Sequence, residues 1–208
     1  MVISGEVLHG AMAELDRFQL RPGDSPPPFD LPGVDGRRHQ LDEFSGSRLL
    51  LVVFSCNHCP YAQAWEGRLI ALSKEFGPKG LATVVINPNE TEHYPEDRFE
   101  GMVARAKQKG YPFPYLRDDS QEVARAYGAL VTPHPFLFAP RSPGAGPAAK
   151  SMELVFQGKI DDSWEDPKKA RHHYLRDALQ AALKGEPVPV TTSSVIGCSV
   201  KWKDGADG

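Results

Sequence analysis

Apolar residues fall along this chain in short unbroken blocks and helical stripes. Leu49-Leu-Leu-Val-Val-Phe54 is one continuous block between turn-formers, and Leu81-Ala-Thr-Val-Val-Ile86 is a second. Blocks of this length fit strands covered on both faces of a sheet. Between them, Pro60 to Phe76 reads as a helix, with a proline at its start and Gly77 just past its end. The pattern then predicts a helix from Tyr94 to Lys109, starting near Pro95 and ending at Gly110. A short strand over Phe113 to Leu116 follows, then a short helix from Ser120 to Tyr127 closed by Gly128. Phe136-Leu-Phe138 and Met152 to Phe156 are two more strands, separated by the Pro/Gly-rich stretch Ala139 to Ala148, which reads as a mobile loop. Asp166 is placed to cap a last helix with Pro167 at its first position, a stripe of Leu175, Leu179, Ala182 and Leu183, and Gly185 beyond its end.

Upstream of the first block, Phe29-Asp-Leu31 and His39-Gln-Leu41 flank Pro32-Gly-Val-Asp-Gly36 and read as a hairpin. Val7 to Phe18 is loosely helical, and Arg21 to Pro28 interrupts regular structure. Glu186 to Gly208 has no clear periodicity. The alternation of strands and helices implies an α/β fold. Its central mixed sheet is flanked by helices on both faces, and its last two strands form an antiparallel edge hairpin. Three segments result: residues 1–24, a domain over 25–185, and a tail over 186–208.

Composition narrows the function. The 208 residues are 40% hydrophobic and 25% charged with a formal net charge of −3, ordinary for a globular domain. No basic run offers a footprint for nucleic acid. The longest apolar block is too short to span a bilayer, and the start shows no signal-peptide pattern, so the expectation is a cytoplasmic protein without nucleic-acid or membrane partners. Three cysteines do not make a disulfide scaffold.

Two of the three, Cys56 and Cys59, frame Cys56-Asn57-His58-Cys59 between a buried strand and a helix. A thiol at a helix N-terminus meets unpaired N–H groups and the positive end of the dipole, which favour thiolate. The expectation is that Cys56 is ionised this way and attacks, that Cys59 resolves the mixed disulfide, and that Asn57 and His58 tune the pair, His58 by placing imidazolium charge beside the thiolate. The competing readings of the pair are a zinc half-site and two incidental core thiols, but no second CxxC or suitable His pair completes a zinc site. His134 is a second histidine of interest. His172 and His173 read as exposed, and Trp65, Trp164 and Trp202 as packing residues. Cys198, near the end of the chain, is a candidate resolving thiol if the tail folds back with Trp202 on the domain.

Strand–CxxC–helix followed by Thr132-Pro133 before an apolar strand resembles the thioredoxin-like superfamily. The Pro28-Phe-Asp-Leu31 start and the order of elements resemble its peroxiredoxin-like, AhpC/TSA-type branch. Cys56-Asn-His-Cys-Pro-Tyr61, Ile86-Asn-Pro-Asn89, Tyr94-Pro-Glu-Asp97, Tyr111 to Asp118 and Gly197-Cys-Ser-Val-Lys-Trp202 resemble one bacterial subgroup of redoxins. The resemblance implies a cis Pro133 facing the dithiol and a Thr132 backbone offered to an extended substrate. It implies thiol:disulfide exchange without a cofactor or metal, on protein or small-molecule disulfides, with electrons from a reductant such as a thioredoxin system. The alternatives are a thiol peroxidase and, more remotely, a Cu(I) chaperone using Cys56, Cys59 and either His58 or His134. Three departures stand out. Leu50 occupies the place of the usual buried acid, leaving Glu66 or water to assist Cys59. Ser55 replaces the usual tryptophan, and Leu49 and Val53 replace the proline and threonine of typical peroxiredoxins.

Overall fold

The computed structural model describes residues 19–141 and 152–203. The helical expectation for Val7 to Phe18 and most of the Ala139 to Ala148 loop lie outside the described residues. The strands are β1 Asp30–Pro32, β2 Arg38–Gln40, β3 Leu49–Phe54, β4 Leu81–Asn87, β5 Tyr115–Arg117, β6 Val131–Thr132, β7 His134–Pro140, β8 Met152–Gln157 and β9 Cys198–Ser199. The α-helices are α1 Pro60–Phe76, α2 Phe99–Lys109, α3 Glu122–Tyr127 and α4 Tyr174–Lys184.

The main sheet has the order β5-β4-β3-β7-β8. Strands β3, β4 and β5 run parallel, while β7 is antiparallel to β3 and β8 antiparallel to β7. This is the expected mixed sheet with an edge hairpin, in a thioredoxin-like α/β arrangement. Every residue of β3 is buried, because both faces of the sheet are covered. Its side chains alternate between two cores, as the pleat requires. Leu50, Val52 and Phe54 point to α3, the β1–β2 hairpin and the tail, through Tyr127, Phe29 and Val200. Leu49, Leu51 and Val53 point to α1 and α4, through Trp65, Leu69, Leu175 and Leu179. Among the described residues no helix is long and apolar enough to cross a membrane.

Several elements differ from their expected bounds for physical reasons. The Tyr94 to Lys109 helix is broken: a 3₁₀ turn over Pro95–Asp97 precedes Arg98, extended at φ −59° and ψ 155°, before α2 begins. The break turns Asp97 inward, where it is fully buried. Asp166 caps only the 3₁₀ turn Pro167–Lys169, and the last helix begins at Tyr174. The intervening chain is held extended by Asp162, whose carboxylate accepts from the amides of Arg171 at 2.8 Å and His172 at 3.1 Å. β5 lies at Tyr115–Arg117 rather than at Phe113, and β7 continues through Ala139 and Pro140.

The tail is not loose. Ser193 N donates to Gln157 O at 3.0 Å, and β9 pairs with β6. Beyond β9, Lys201 N donates to Asn89 Oδ1 at 2.9 Å, Gln121 Nε2 donates to Lys201 O at 2.7 Å, and Lys203 N donates to Gln121 Oε1 at 2.9 Å. Gln121 makes both of these contacts, and a third to Pro88 O at 2.7 Å, from a positive φ of 64°. Trp202 packs on the core with the Arg125 guanidinium 4.4 Å from its ring centre, in accord with the packing role expected of it.

Candidate active site

Sheet register assembles the site. β3 pairs antiparallel with β7, Phe54 opposite His134, so continuing the register by two residues sets Cys56 opposite Thr132. The Thr132–Pro133 peptide bond is cis, as expected. Thr132 Oγ1 lies 3.2 Å from Cys56 Sγ, and Cys59 Sγ donates to Thr132 O at 3.0 Å. Pro133 and Cys56 line the same small cleft with Trp65 and Phe113. Cys59 is fully buried and Cys56 only 4% exposed, so the pair meets solvent along the Cys56 edge alone.

The expected electrostatics of the pair are corrected by the cap. Pro60 is the first residue of α1, so the capping residue is Cys59, and its sulfur accepts from Ala62 N at 3.5 Å. Cys56 lies outside the helix and receives none of those amides. The Cys59 thiol is pushed down from its ordinary value, chiefly by the hydrogen bond from Cys56, against burial, with further donation from the Cys198 thiol, the Ala62 amide and the Cys198 amide. The Thr132 carbonyl takes the Cys59 proton in the neutral dithiol, but these donors together favour the thiolate. Cys56 is pushed up, first by its bond to Cys59, then by burial and the charge of Asp97. The two sulfurs share one dissociable proton.

Asp97, which enters the sequence pattern only as the end of Tyr94-Pro-Glu-Asp97 and with no role of its own, organises the loop. Its Oδ1 accepts from Asn57 N at 2.6 Å and Asn87 Nδ2 at 3.1 Å. Its Oδ2 accepts from Asn89 Nδ2 at 3.0 Å and lies 2.6 Å from His58 Nδ1. Asn57 is tied further by its Nδ2 to Glu96 O at 2.7 Å and by Tyr115 Oη, which donates to Asn57 Oδ1 at 3.0 Å. His58 stacks on Tyr94 at 4.6 Å. Asp97 holds the His58 pKa above its ordinary value, so the imidazolium expected near the dithiol is favoured. Burial pushes the Asp97 carboxyl up, but the bonds from His58, Asn89 and Asn57 outweigh it and leave the group below its ordinary value.

Cys56, His58 and Asp97 each present a ligand-type atom within 4.8 Å of the others. Both Asp97 oxygens already serve N–H donors, and His58 Nδ1 already faces one of them, so the acid acts as a holder of the loop. Glu66 lines the same cleft as Cys56, and its carboxylate is engaged there by Arg105 Nε at 2.7 Å, Tyr111 Oη at 2.5 Å and Lys109 Nζ at 3.2 Å. His134 is fully buried, accepts from Leu130 N at 3.3 Å, and is kept neutral by burial, its pKa lowered to about 3. Trp65 is a packing residue whose Nε1 donates to Asp161 at 2.9 Å. His172 and His173 are exposed and precede α4 rather than lying along it.

Thr132 does not present a free backbone edge. The tail occupies it: Val131 pairs with Ser199 and Thr132 with Cys198. Cys198 packs on the cluster formed by Cys56, Cys59 and Ala62, and its thiol bonds to Cys59. Gly197 permits this closeness, because a Cβ there would lie 2.4 Å from Thr132 O.

A buried dithiol between a parallel strand and a helix, set against a cis proline in a mixed sheet, defines a thioredoxin-like redoxin. Residues 22–149 match the AhpC/TSA family, and the chain belongs to that family. It is 29% identical over 111 residues to a Mycobacterium tuberculosis protein named "Putative peroxiredoxin Rv2521", a match covering 53% of this chain and 66% of that one, just under two thirds of its length. A crystal structure of an uncharacterized conserved protein from Geobacillus kaustophilus superposes with a TM-score of 0.80 at 38% identity, covering 90% of this chain and 95% of that one. A peroxidoxin of Mycobacterium tuberculosis shares the fold at a TM-score of 0.57 and 16% identity, over 80% of this chain and 98% of its own.

Proposed function

We propose that the chain is a thiol:disulfide oxidoreductase working through Cys56 and Cys59. The observation that carries the reading is the contact of both sulfurs with one residue, Thr132, beside the cis proline. The proposed cycle starts from one proton shared between the two sulfurs. Cys56, the sulfur nearer solvent, passes its proton to the Cys59 thiolate and attacks a substrate disulfide. A mixed disulfide with Cys56 forms and one substrate thiolate leaves, taking a proton from the His58 imidazolium or from water. Cys59 then loses its proton, attacks Cys56 Sγ and expels the second substrate thiolate, leaving Cys56 and Cys59 joined. The substrates are protein or small-molecule disulfides, and a cellular dithiol reductant resets the pair.

Insulin reduction tests this. Wild-type protein accelerates it and Cys56→Ser loses the acceleration, while Cys59→Ser accumulates mixed disulfides. Equal activity in wild type and Cys56→Ser refutes the proposal.

A second reading, thiol peroxidase, is favoured by the family and by the Thr132 hydroxyl 3.2 Å from Cys56 Sγ, which offers a hydrogen-bonding group at the sulfur that Val53 cannot. In this cycle the Cys56 thiolate attacks one peroxide oxygen, the O–O bond breaks with water or an alcohol leaving, and Cys59 condenses with the resulting sulfenic acid to form the disulfide and release water. Stopped-flow oxidation by peroxide decides: a rate no faster than free cysteine removes this reading.

A further inference from the structure

The three free thiols form one cluster, Cys198 packing on Cys56, Cys59 and Ala62 and pairing with Thr132, and Cys59 stands in the middle, hydrogen-bonded to Cys56 on one side and to Cys198 on the other. Cys198 alone is half-buried; the other two are buried. The tail that carries it is bolted through Asn89 and Gln121 and paired in register with Thr132, so Cys198 is held at the dithiol rather than visiting it. From this arrangement we infer that Cys198 is a second resolving thiol that moves the disulfide from the buried Cys56–Cys59 pair to a Cys59–Cys198 pair nearer the surface. The inference rests on the dithiol reading of Cys56 and Cys59.

The exchange balances without an added oxidant. Cys198 thiolate attacks Cys59 Sγ of the internal disulfide, the new S–S bond forms, and the bond to Cys56 breaks with its electron pair leaving on Cys56 Sγ. The proton lost from Cys198 ends on Cys56, which is restored for another substrate. A protein or small-molecule dithiol then reduces the Cys59–Cys198 disulfide, taking up the oxidation as its own disulfide.

The electrostatics time the step. While Cys59 is a thiolate, burial and the bond to Cys59 hold Cys198 protonated, its pKa raised to about 12, with the Lys201 ammonium opposing. Once Cys59 is joined to Cys56, its charge and its claim on the Cys198 proton vanish, while burial still opposes ionisation and the Lys201 charge still favours it. Cys198 is thus held protonated beside the reduced pair and ionises more readily beside the oxidised one. The half-buried position of Cys198 also gives a reductant more access than either buried sulfur of the pair offers.

Disulfide mapping by mass spectrometry tests the inference. Cys56→Ser protein oxidised with diamide forms the Cys59–Cys198 disulfide in nearly every molecule, whereas Cys59→Ser forms no Cys56–Cys198 disulfide. Wild-type protein given less than one equivalent of diamide yields both Cys56–Cys59 and Cys59–Cys198 species. If oxidised Cys56→Ser keeps Cys59 and Cys198 as free thiols, and wild type shows only Cys56–Cys59, the relay is overturned. Insulin reduction separates the two proposals. Activity with no Cys59–Cys198 disulfide sinks the relay alone, and the disulfide without insulin reduction sinks the exchange function alone.

Discussion

Asp97→Asn is the substitution that most directly probes how the site is built. The wild-type carboxylate is fully buried and meets four N–H groups: Asn57 N, Asn87 Nδ2, Asn89 Nδ2 and His58 Nδ1. An amide of the same shape keeps one oxygen, good for two of these donors, and turns its own NH₂ toward the other two. Each buried donor left without an acceptor costs about 1–3 kcal/mol. Removing one partner of a buried ion pair costs about 3–5 kcal/mol by a separate route. The two estimates overlap, so the variant should lose about 3–5 kcal/mol. For a chain of this size 1 kcal/mol moves Tm by about 2–4 °C, which gives a drop of about 6–20 °C by calorimetry or circular dichroism.

The Asp97–His58 charge pair gives a second, independent readout. His58 is raised by Asp97, so its contribution to stability is fully present below the ordinary histidine value of about 6.5 and is lost as pH rises through its folded value. Asp97 is lowered, so its contribution is present above about 3.9 and lost as pH falls through its folded value. Both terms vanish in Asp97→Asn, and the His58 ring proton resonance should titrate at a lower pH than in wild type. A drop in Tm below about 2 °C together with an unmoved His58 titration would refute the account of Asp97 as the holder of the loop.

Reduced wild-type protein should absorb at 240 nm at neutral pH as thiolate, and Cys59→Ser should lose that band, because the cap amide and the neighbouring thiols all serve Cys59; retention of the band there would return the charge to Cys56. Arg68→Ala should cost about 3–5 kcal/mol in chemical denaturation, since it leaves Asp161, 2% exposed, without the guanidinium that contacts both of its oxygens at 2.6 Å. Gly197→Ala places a Cβ 2.4 Å from Thr132 O, so the tail should lift and iodoacetamide should label Cys198 several-fold faster than in wild type; an unchanged rate would mean the tail yields without unpairing.

The sheet was readable because its signals are local. An unbroken apolar block admits a buried strand and little else, and proline and glycine mark the ends of α1. The chemistry of the site was readable only in part. Pro60 at the head of the helix already implied that Cys59, one residue earlier, is the cap. The expectation gave the amides to Cys56 instead, because it followed the order of the motif rather than the position of the proline. Asp97 was hidden by a sufficient local explanation, an acidic residue after a proline at the start of a helix. Its true partners lie 40 residues away, at Asn57, or at the end of β4, and only the fold brings them together. Glu66 follows the dithiol in sequence, and its charge is paired with Arg105 and Lys109 from α2, partners 39 and 43 residues away that only the fold reveals.

The tail had no periodicity because it is held by backbone contacts and by isolated apolar anchors, Val200 and Trp202, rather than by a regular apolar face. Asn89 and Gln121 each bind a backbone group of the tail, and the two residues of β9 complete the edge that β6 would otherwise leave open. A consequence for substrate choice follows from that pairing. An extended peptide that sought the Thr132 backbone must first displace Cys198, breaking the β6–β9 pairing and the contact with Cys59, whereas a small disulfide or a peroxide approaching along the Cys56 edge displaces nothing. If that pairing governs access, deleting the residues from Gly197 onward should favour protein disulfides over small ones in competition. An unchanged preference would show that large substrates reach Cys56 without touching the tail.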